Sequence, residues 1–424
     1  MVASLHFPSV AKTLGLSPRR GEVFQALARV LDYRPAPEVP HHARVAALAT
    51  RVAAGLGNVD PRTTLYAALV HDIGMPPDEK PWSCVSPEDQ ANDAAVRAHP
   101  LVGAQTLAAV PGLVEVAQIV LDHHEWANGH GYPRGKSGDE IPPAAQALRF
   151  ADTCDLVLRE QTSPELVAFV HAVVGRAGPQ VGRAVMDAGL AVLGEEHLYT
   201  LLLSPEDVAV LLASSLERHA ARDVVVTEPE LTGLLGLFGH VADERPSDKV
   251  GHSRRVANLT VLVAMAMGLG EEETALAKWA ALVHDVGVVA VTKALLDRPG
   301  LLAAEELADV RQRIARVQDF LGPVRGLEEV ARVASAHEER YDGSGTPDGL
   351  AGSAIPPGAR ILSVCHAFDA LTSHRPYREA RDVGLAVDIL VRGSGALFDP
   401  EVVSAAVPVF LIAQPREEPV EIAP

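Results

Sequence analysis

The feature that most constrains this chain is that it is written twice. "DYRPAPEVPHHARVAAL", from Asp32, aligns without a gap on "DERPSDKVGHSRRVANL", from Asp243. "AALVHDIG" then aligns on "AALVHDVG", and "HHEWANGHGYPRGKSGDEIPP" on "HEERYDGSGTPDGLAGSAIPP". Last, "ALRFADTCDLV" aligns on "ILSVCHAFDAL". These matches pair His41 with His252, His71 with His284, His123 with His337 and Asp152 with His366, so the offset drifts only from 211 to 214 residues. A unit of that length is a duplicated domain rather than a solenoid repeat. Two domains are expected, 1–222 and 223–424, meeting in "ERHAARDVVVTEPE". Each half is long enough to bury its own core.

Most of each copy carries helical spacing. "ARVAALATRVAAGLG" stops at a glycine, and "DPRTTLYAALVHDIG" opens with Asp60 as N-cap and Pro61 at the first helical position. "GLVEVAQIVLDHHEW" and "AAQALRFADTCDLVLRE" repeat the pattern, and strand alternation is nearly absent. The expected class is all-α, two tandem helical bundles.

The formal charge of −18 speaks against a surface that tracks polymeric DNA or RNA, and against an anionic membrane. It leaves room for a small nucleotide in a local pocket. Cys84, Cys154 and Cys365 show no metal or disulfide spacing and read as reduced thiols in a cytoplasmic protein. "MVASLHFPSV" lacks the charged and apolar regions of an export signal. "LTVLVAMAMGLG" is too short to span a bilayer and suits a buried helix.

The chemistry-bearing residues of the first copy are His41, His71, Asp72, His99, His123, His124 and Asp152. Imidazoles and carboxylates without thiolates form the ligand set of a hydrolytic site for iron, manganese or zinc. Adjacent His71 and Asp72 diverge on an ideal helix, but at a helix end they can grip two sides of an ion pair with the aspartate bridging. Two such ions activate a water and clamp the oxygens of an in-line displacement at phosphorus. Taken singly, each element has a plain structural counterpart: a hydrogen-bonded pair on a buried helix, a helix cap at His123-His124, a helix start at His99-Pro100. The constellation is stronger because its order and spacing recur across the duplication.

With His41 followed by Arg44-Val45, "HDIG" at His71, "HPLVG" at His99, "HHE" at His123, "GYP" at Gly131 and Asp152 in "FADTCD", the sequence resembles the HD-GYP family of metal-dependent phosphohydrolases. The resemblance covers both copies. It implies an α-helical bundle around two or three metals, commonly iron or manganese, with zinc or nickel also compatible, and hydrolysis of cyclic di-GMP. It implies further that the seven residues are metal ligands, that His71 and Asp72 form the catalytic pair, and that Tyr132 shapes the substrate pocket.

Departures from the family are informative. The family's lysine four residues after the His of its His-Asp pair is Met75 here, and Val288 in the second copy. Its Arg-Pro-Tyr-Arg segment is missing from the first copy, which has Gln161 to Pro164 there, but survives in the second as Arg375, Tyr377 and Arg378. An acid used for a third metal is replaced by Pro37, beside Glu38, whereas Asp248 keeps it. Arg134 and Lys136 are candidates to supply the missing phosphate grip. In the second copy the third ligand is Arg313, the histidine pair is broken by Glu338, and Asp152 becomes His366. A degenerate site of His252, His284, Asp285, His337 and His366 remains, suited to one ion or to a supporting role. The expectation is a phosphodiesterase centred in the first copy; another phosphate ester as substrate, and a non-catalytic nucleotide-binding module, stand beside it. Pairing of the two copies within one chain follows from the duplication.

Overall fold

The computed structural model describes residues 11, 14–33, 39–76, 93–160, 165–220, 223–246, 248–298, 300, 302–314, 316–374 and 379–412. Pro37, Glu38, Cys84, Gln161 to Pro164, Arg375, Tyr377 and Arg378 lie outside the described residues, as does the side chain of Arg313.

The first half contains α1 (Arg20–Leu31), α2 (His41–Leu56), α3 (Pro61–Val70), α4 (Ala94–Ala108), α5 (Val114–Asp122), α6 (Pro143–Glu160), α7 (Leu166–Ala177), α8 (Arg183–Leu193) and α9 (Pro205–Ala220). The second contains α10 (Glu228–Asp243), α11 (His252–Ala266), α12 (Glu271–Val283), α13 (Ala304–Ile314), α14 (Val317–Leu321), α15 (Glu328–Ser335), α16 (Pro357–Thr372), α17 (Val383–Gly393) and α18 (Pro400–Ile412). Among the described residues there is no strand, only three isolated bridges. The all-α expectation holds.

Local chemistry sets the helix ends as expected. The Asp60 carboxylate accepts from the Arg62 amide with Pro61 at the first position, and α2 ends at Gly57 with φ 72°. Two of the simpler readings need correcting. His99-Pro100 does not start a helix; α4 begins five residues earlier, where Asp93 accepts from the Ala95 and Val96 amides. A second concerns "LTVLVAMAMGLG". Val263 and Ala264 are buried, but Leu262 and Met265 are exposed, so that helix buries one face only. No helix among the described residues is long and apolar enough to cross a membrane.

Each half packs in the same way. In the first, α2 lies against α3 and α6, and α3 against α5; in the second, α11 lies against α12 and α16, and α12 against α15. Phe24, Phe150 and Phe169 are fully buried in one half, Trp279, Phe238 and Phe410 in the other. The opening of each bundle helix is held by the same device. Asp32 accepts from the His42 amide, and Asp243 from the Ser253 amide.

The halves touch through their first helices. The segment before α1 pairs antiparallel with the segment before α10, with Arg20 N–H donating to Val224 O and Val226 N–H to Pro18 O. Arg20 Nε lies 2.6 Å from Glu230 Oε1, and Tyr66 Oη donates to Asp223 at 2.6 Å. Further along α1, Arg29 donates to Phe320 O, and Arg316 donates to Tyr33 Oη at 2.9 Å.

Candidate metal centre

α3 ends at Val70, which leaves His71 as its C-cap and Asp72 in the following turn. The two side chains thus escape the divergence of an ideal helix and meet, His71 Nε2 at 3.5 Å from Asp72 Oδ2. α2 contributes His41 from its first position, α4 His99, the end of α5 His123 and His124, and α6 Asp152. The structure gathers six of the seven into two donor groups and sets Asp152 beside them, Oδ1 3.9 Å from His41 Nε2. The donor atoms of His41, His71 and Asp72 form one group, and those of Asp72, His99, His123 and His124 a second; within each they lie within 4.8 Å of one another. Asp72 is common to both.

The two oxygens of Asp72 divide the site. Oδ2 faces His41 Nε2 at 3.4 Å and His71 Nε2 at 3.5 Å; Oδ1 faces His99 Nε2 at 3.3 Å and His123 Nε2 at 3.9 Å. On each side the two imidazole nitrogens approach to 3.1 Å.

The outer nitrogens explain the orientation. His71, His99 and His123 place Nδ1 at 2.9, 2.6 and 2.5 Å from the carbonyls of Ala68, Val96 and Val120. A carbonyl only accepts, so each Nδ1 carries the proton and each Nε2 presents a lone pair to the site. Pro100 has a part in this. Lacking an amide hydrogen, it leaves the Val96 carbonyl four residues back without its helical partner, and His99 takes that place. His41 Nδ1 instead meets Asp155 Oδ2 at 2.7 Å, a carboxylate-histidine arrangement that orients a ligand from behind. Asp155 also takes Arg44 and Arg159.

On the His99–His123 side two lone pairs face each other at 3.1 Å and repel unless a cation stands between them. On the other side the proton that Asp155 favours on His41 fills the gap to His71 where no ion does. With metal–ligand bonds of about 2.0–2.2 Å, neighbouring donors lie roughly 3.0–3.6 Å apart, so the spacing suits an ion on either side of Asp72. The donor set is nitrogen and oxygen only; Cys154 is buried and outside both groups. The residues fit divalent metals.

Burial lowers His71 to about 4 and pushes His123 and His124 well below the usual histidine range, which keeps these imidazoles neutral. Burial works against charge on His41 too, but the Asp155 carboxylate outweighs it and raises that group to about 10. Burial likewise opposes ionisation of Asp72, yet His71, His41 and His99 hold it well below the carboxylate range.

At the rim, Arg149 Nη1 donates to Asp152 Oδ2 and to His124 Nδ1, both at 2.9 Å. That puts the proton of the neutral His124 on Nε2, so an ion taken by His124 must displace that proton or Arg149. Tyr132 stacks on His124 with ring centroids 4.8 Å apart, and the Arg97 guanidinium lies 4.8 Å from the Tyr132 centroid. Burial pushes the Tyr132 phenol up to about 12, so it stays protonated. Its loop is clamped by buried Glu125, which accepts from the Arg134 and Lys136 amides. The side chains of Arg134 and Lys136, expected as a phosphate grip, both pair with fully buried Asp122. They latch the loop from outside the histidine cluster.

In the second half, His252, His284, Asp285 and His366 form a corresponding group within 4.8 Å. His337 adjoins it, its ring 4.9 Å from that of His284. Asp369 and Glu339 repeat the parts played by Asp155 and Glu125.

Asp155, Glu125 and Arg149 were not singled out from the sequence as site residues. The signal for two of them was present: Asp155 recurs as Asp369 and Glu125 as Glu339, both at an offset of 214. Arg149 has Ser363 opposite it and left no such trace.

Comparison with known proteins follows the same division. The HD domain family model matches residues 25–164 and 237–402. A 3′3′-cGAMP-specific phosphodiesterase of Vibrio cholerae is 29% identical over 296 residues, 68% of this chain and 62% of the relative. A cyclic di-GMP phosphodiesterase response regulator of Xanthomonas campestris is 37% identical over 196 residues, 46% of this chain and 52% of the relative. The chain thus spans about half to three-fifths of those two proteins. Another 3′3′-cGAMP-specific phosphodiesterase of Vibrio cholerae is 25% identical over 87% of this chain and 86% of its own length. Among solved structures, a cyclic GMP-AMP-specific phosphodiesterase of Vibrio cholerae shares the fold with a TM-score of 0.60 at 20% identity, covering 95% of this chain and 100% of the other.

Proposed function

The chain belongs to the HD domain family, as a tandem pair of its HD-GYP type, and from that premise we propose that it is a metal-dependent phosphodiesterase of cyclic dinucleotides, cyclic di-GMP first among them, with its centre in the first half. The observation that carries this is the division of Asp72, one oxygen toward the His41–His71 pair and the other toward His99 and His123. The relatives' activities on cyclic di-GMP and 3′3′-cGAMP support the substrate class.

In this proposal His41, His71 and Asp72 hold one divalent ion, and Asp72, His99, His123 and His124 the other, with iron or manganese favoured by the oxygen and nitrogen donors. Asp152, 3.9 Å from His41 Nε2, completes the first group. Bound there, the pair supplies an activated water and neutralises charge on the phosphate. The chain's own residues do the positioning. Asp155 fixes the His41 ring, and Arg149 steers Asp152 and His124 together. Tyr132 offers a protonated hydroxyl and a flat ring at the rim, where a nucleobase or phosphate oxygen can meet it. Arg134 and Lys136 act on the substrate through the loop they latch. The second half supports the first through the α1–α10 contact.

The test is hydrolysis of cyclic di-GMP and 3′3′-cGAMP by protein purified without oxygen and loaded with iron or manganese, with bound metal measured alongside. Turnover that disappears in the His71→Ala, Asp72→Ala variant is the expected result. Bound metal with no turnover of either dinucleotide would overturn the substrate assignment.

A further inference from the structure

The second half carries a pocket for which the proposed hydrolysis has no use. His252 Nε2, His284 Nε2 and His337 Nε2 are all buried without a hydrogen-bond partner among the described residues. Their other nitrogens are committed: His284 and His337 Nδ1 lie 2.8 and 2.7 Å from the carbonyls of Ala281 and Ala334, and His252 Nδ1 lies 2.7 Å from Asp369. The carbonyls of Ala281 and Ala334 only accept, so the inner nitrogens of His284 and His337 are bare lone pairs; the Asp369 carboxylate sets His252 the same way. Two of these, His252 and His284, share a donor group with Asp285 and His366 whose atoms lie within 4.8 Å of one another, and buried bare lone pairs so gathered call for an occupant.

The donors differ from those of the first half. His366 stands where Asp152 does, which replaces a carboxylate by an imidazole without losing a donor. The set for a second ion is broken, since Arg313, which cannot ligate, replaces His99, and Glu338, which replaces His124, stands outside the donor group with His337. Asp285 Oδ2 is already taken by the Lys249 ammonium at 2.6 Å, on the same oxygen that faces His252 and His284 at 3.7 Å.

We propose that the second half holds one transition-metal ion on His252, His284 and His366, with Lys249 fixed on Asp285 as the cation that replaces a second ion. Neutral imidazoles with a charge-compensated carboxylate select ions high in the nitrogen-affinity order, such as zinc or nickel, over magnesium, calcium or manganese. The two halves therefore take different ions. With a single ion and no bridging carboxylate, this site ties α11, α12 and α16 together and performs no hydrolysis.

The test uses the full-length chain with His71→Ala and Asp72→Ala, stripped by chelator and dialysed against zinc or cobalt(II). About one equivalent retained per chain is expected, with cobalt giving the absorption of a low-coordinate nitrogen site. Adding His284→Gln and His366→Gln to that background should abolish retention. A first-site variant with native helicity that keeps no zinc overturns the proposal, and so does zinc that survives the His284→Gln, His366→Gln change. Lys249→Met has the opposite expected sign: it frees the Asp285 carboxylate as a donor and should tighten zinc at least about tenfold, which a damaged fold cannot imitate. Unchanged or weaker binding there would remove Lys249 from the site.

Discussion

In the first half the aspartate after the helix-ending histidine has imidazoles on both oxygens. In the second, the matching Asp285 has imidazoles and a lysine ammonium on one oxygen. Around them the scaffolds agree to the level of single hydrogen bonds: the carboxylate behind the first histidine, the carbonyls behind the others, the buried glutamate under the loop. Duplication has therefore preserved the frame that aims the donors, while the donors themselves have diverged. Orientation is a property of the helix ends, and chemistry a property of a few side chains that can change without disturbing them.

The sharpest way to break that comparison is to disable each half in turn. His71→Ala should lower turnover of a cyclic dinucleotide about a thousandfold or more, because several kcal/mol of charge stabilisation go with the ions. His284→Ala should lower it by less than about tenfold, an effect transmitted only through packing. Steady-state rates for both variants decide the matter; comparable losses would mean that the two halves form one centre.

A second contrast lies in the loops. Asp122, fully buried, neutralises Arg134 and Lys136, whereas the equivalent position is Ala336 and the loop opposite it carries Asp348 and Leu350. Ala336→Asp would bury a charge with no cation to meet it and should cost about 3–5 kcal/mol in urea unfolding. Asp122→Ala should cost less, about 1–3 kcal/mol, because the two cations it releases regain water. Equal costs would show that the latch is not specific to the first half.

The sequence made the frame legible because the frame is periodic and repeated. Helix starts such as Asp60-Pro61 and the order of the seven candidate residues survive as spacing, and spacing is visible without coordinates. What it hid depended on which atom meets which. Lys249 reads as an ordinary surface cation until its ammonium is found on Asp285. Arg134 and Lys136 read as a basic loop because Asp122, twelve residues before Arg134, is separated from them by the turn that brings them back. His99-Pro100 resembled a helix start because proline favours that position, whereas here proline vacates a carbonyl for the histidine beside it.

The smallest effect expected is on pH dependence, and it separates the two copies of one capping device. Asp32 and Asp243 both hold the start of the following helix, but Asp32 meets the His42 imidazole at 2.7 Å and Asp243 meets the Ser253 hydroxyl. Burial works to raise both carboxylates. At Asp32 the attraction of His42 outweighs it and the group ends below its ordinary value; at Asp243 nothing does, and it rises to about 7. The signs follow from proton counts. Asp32 binds its proton less readily folded than unfolded, so its contribution is present above the usual carboxylate range and is lost on acidification. Asp243 binds its proton more readily folded, so its contribution is full below about pH 4 and is lost as pH rises toward 7. Asp243→Asn should therefore reduce the fall in stability between pH 5 and 8 by about 1–2 kcal/mol. Asp32→Asn should instead soften the loss below pH 4. Denaturant melts of both variants across that range test the pair, and slopes unaltered by Asp243→Asn would mean that its carboxylate is ionised in the fold, as Asp32 is.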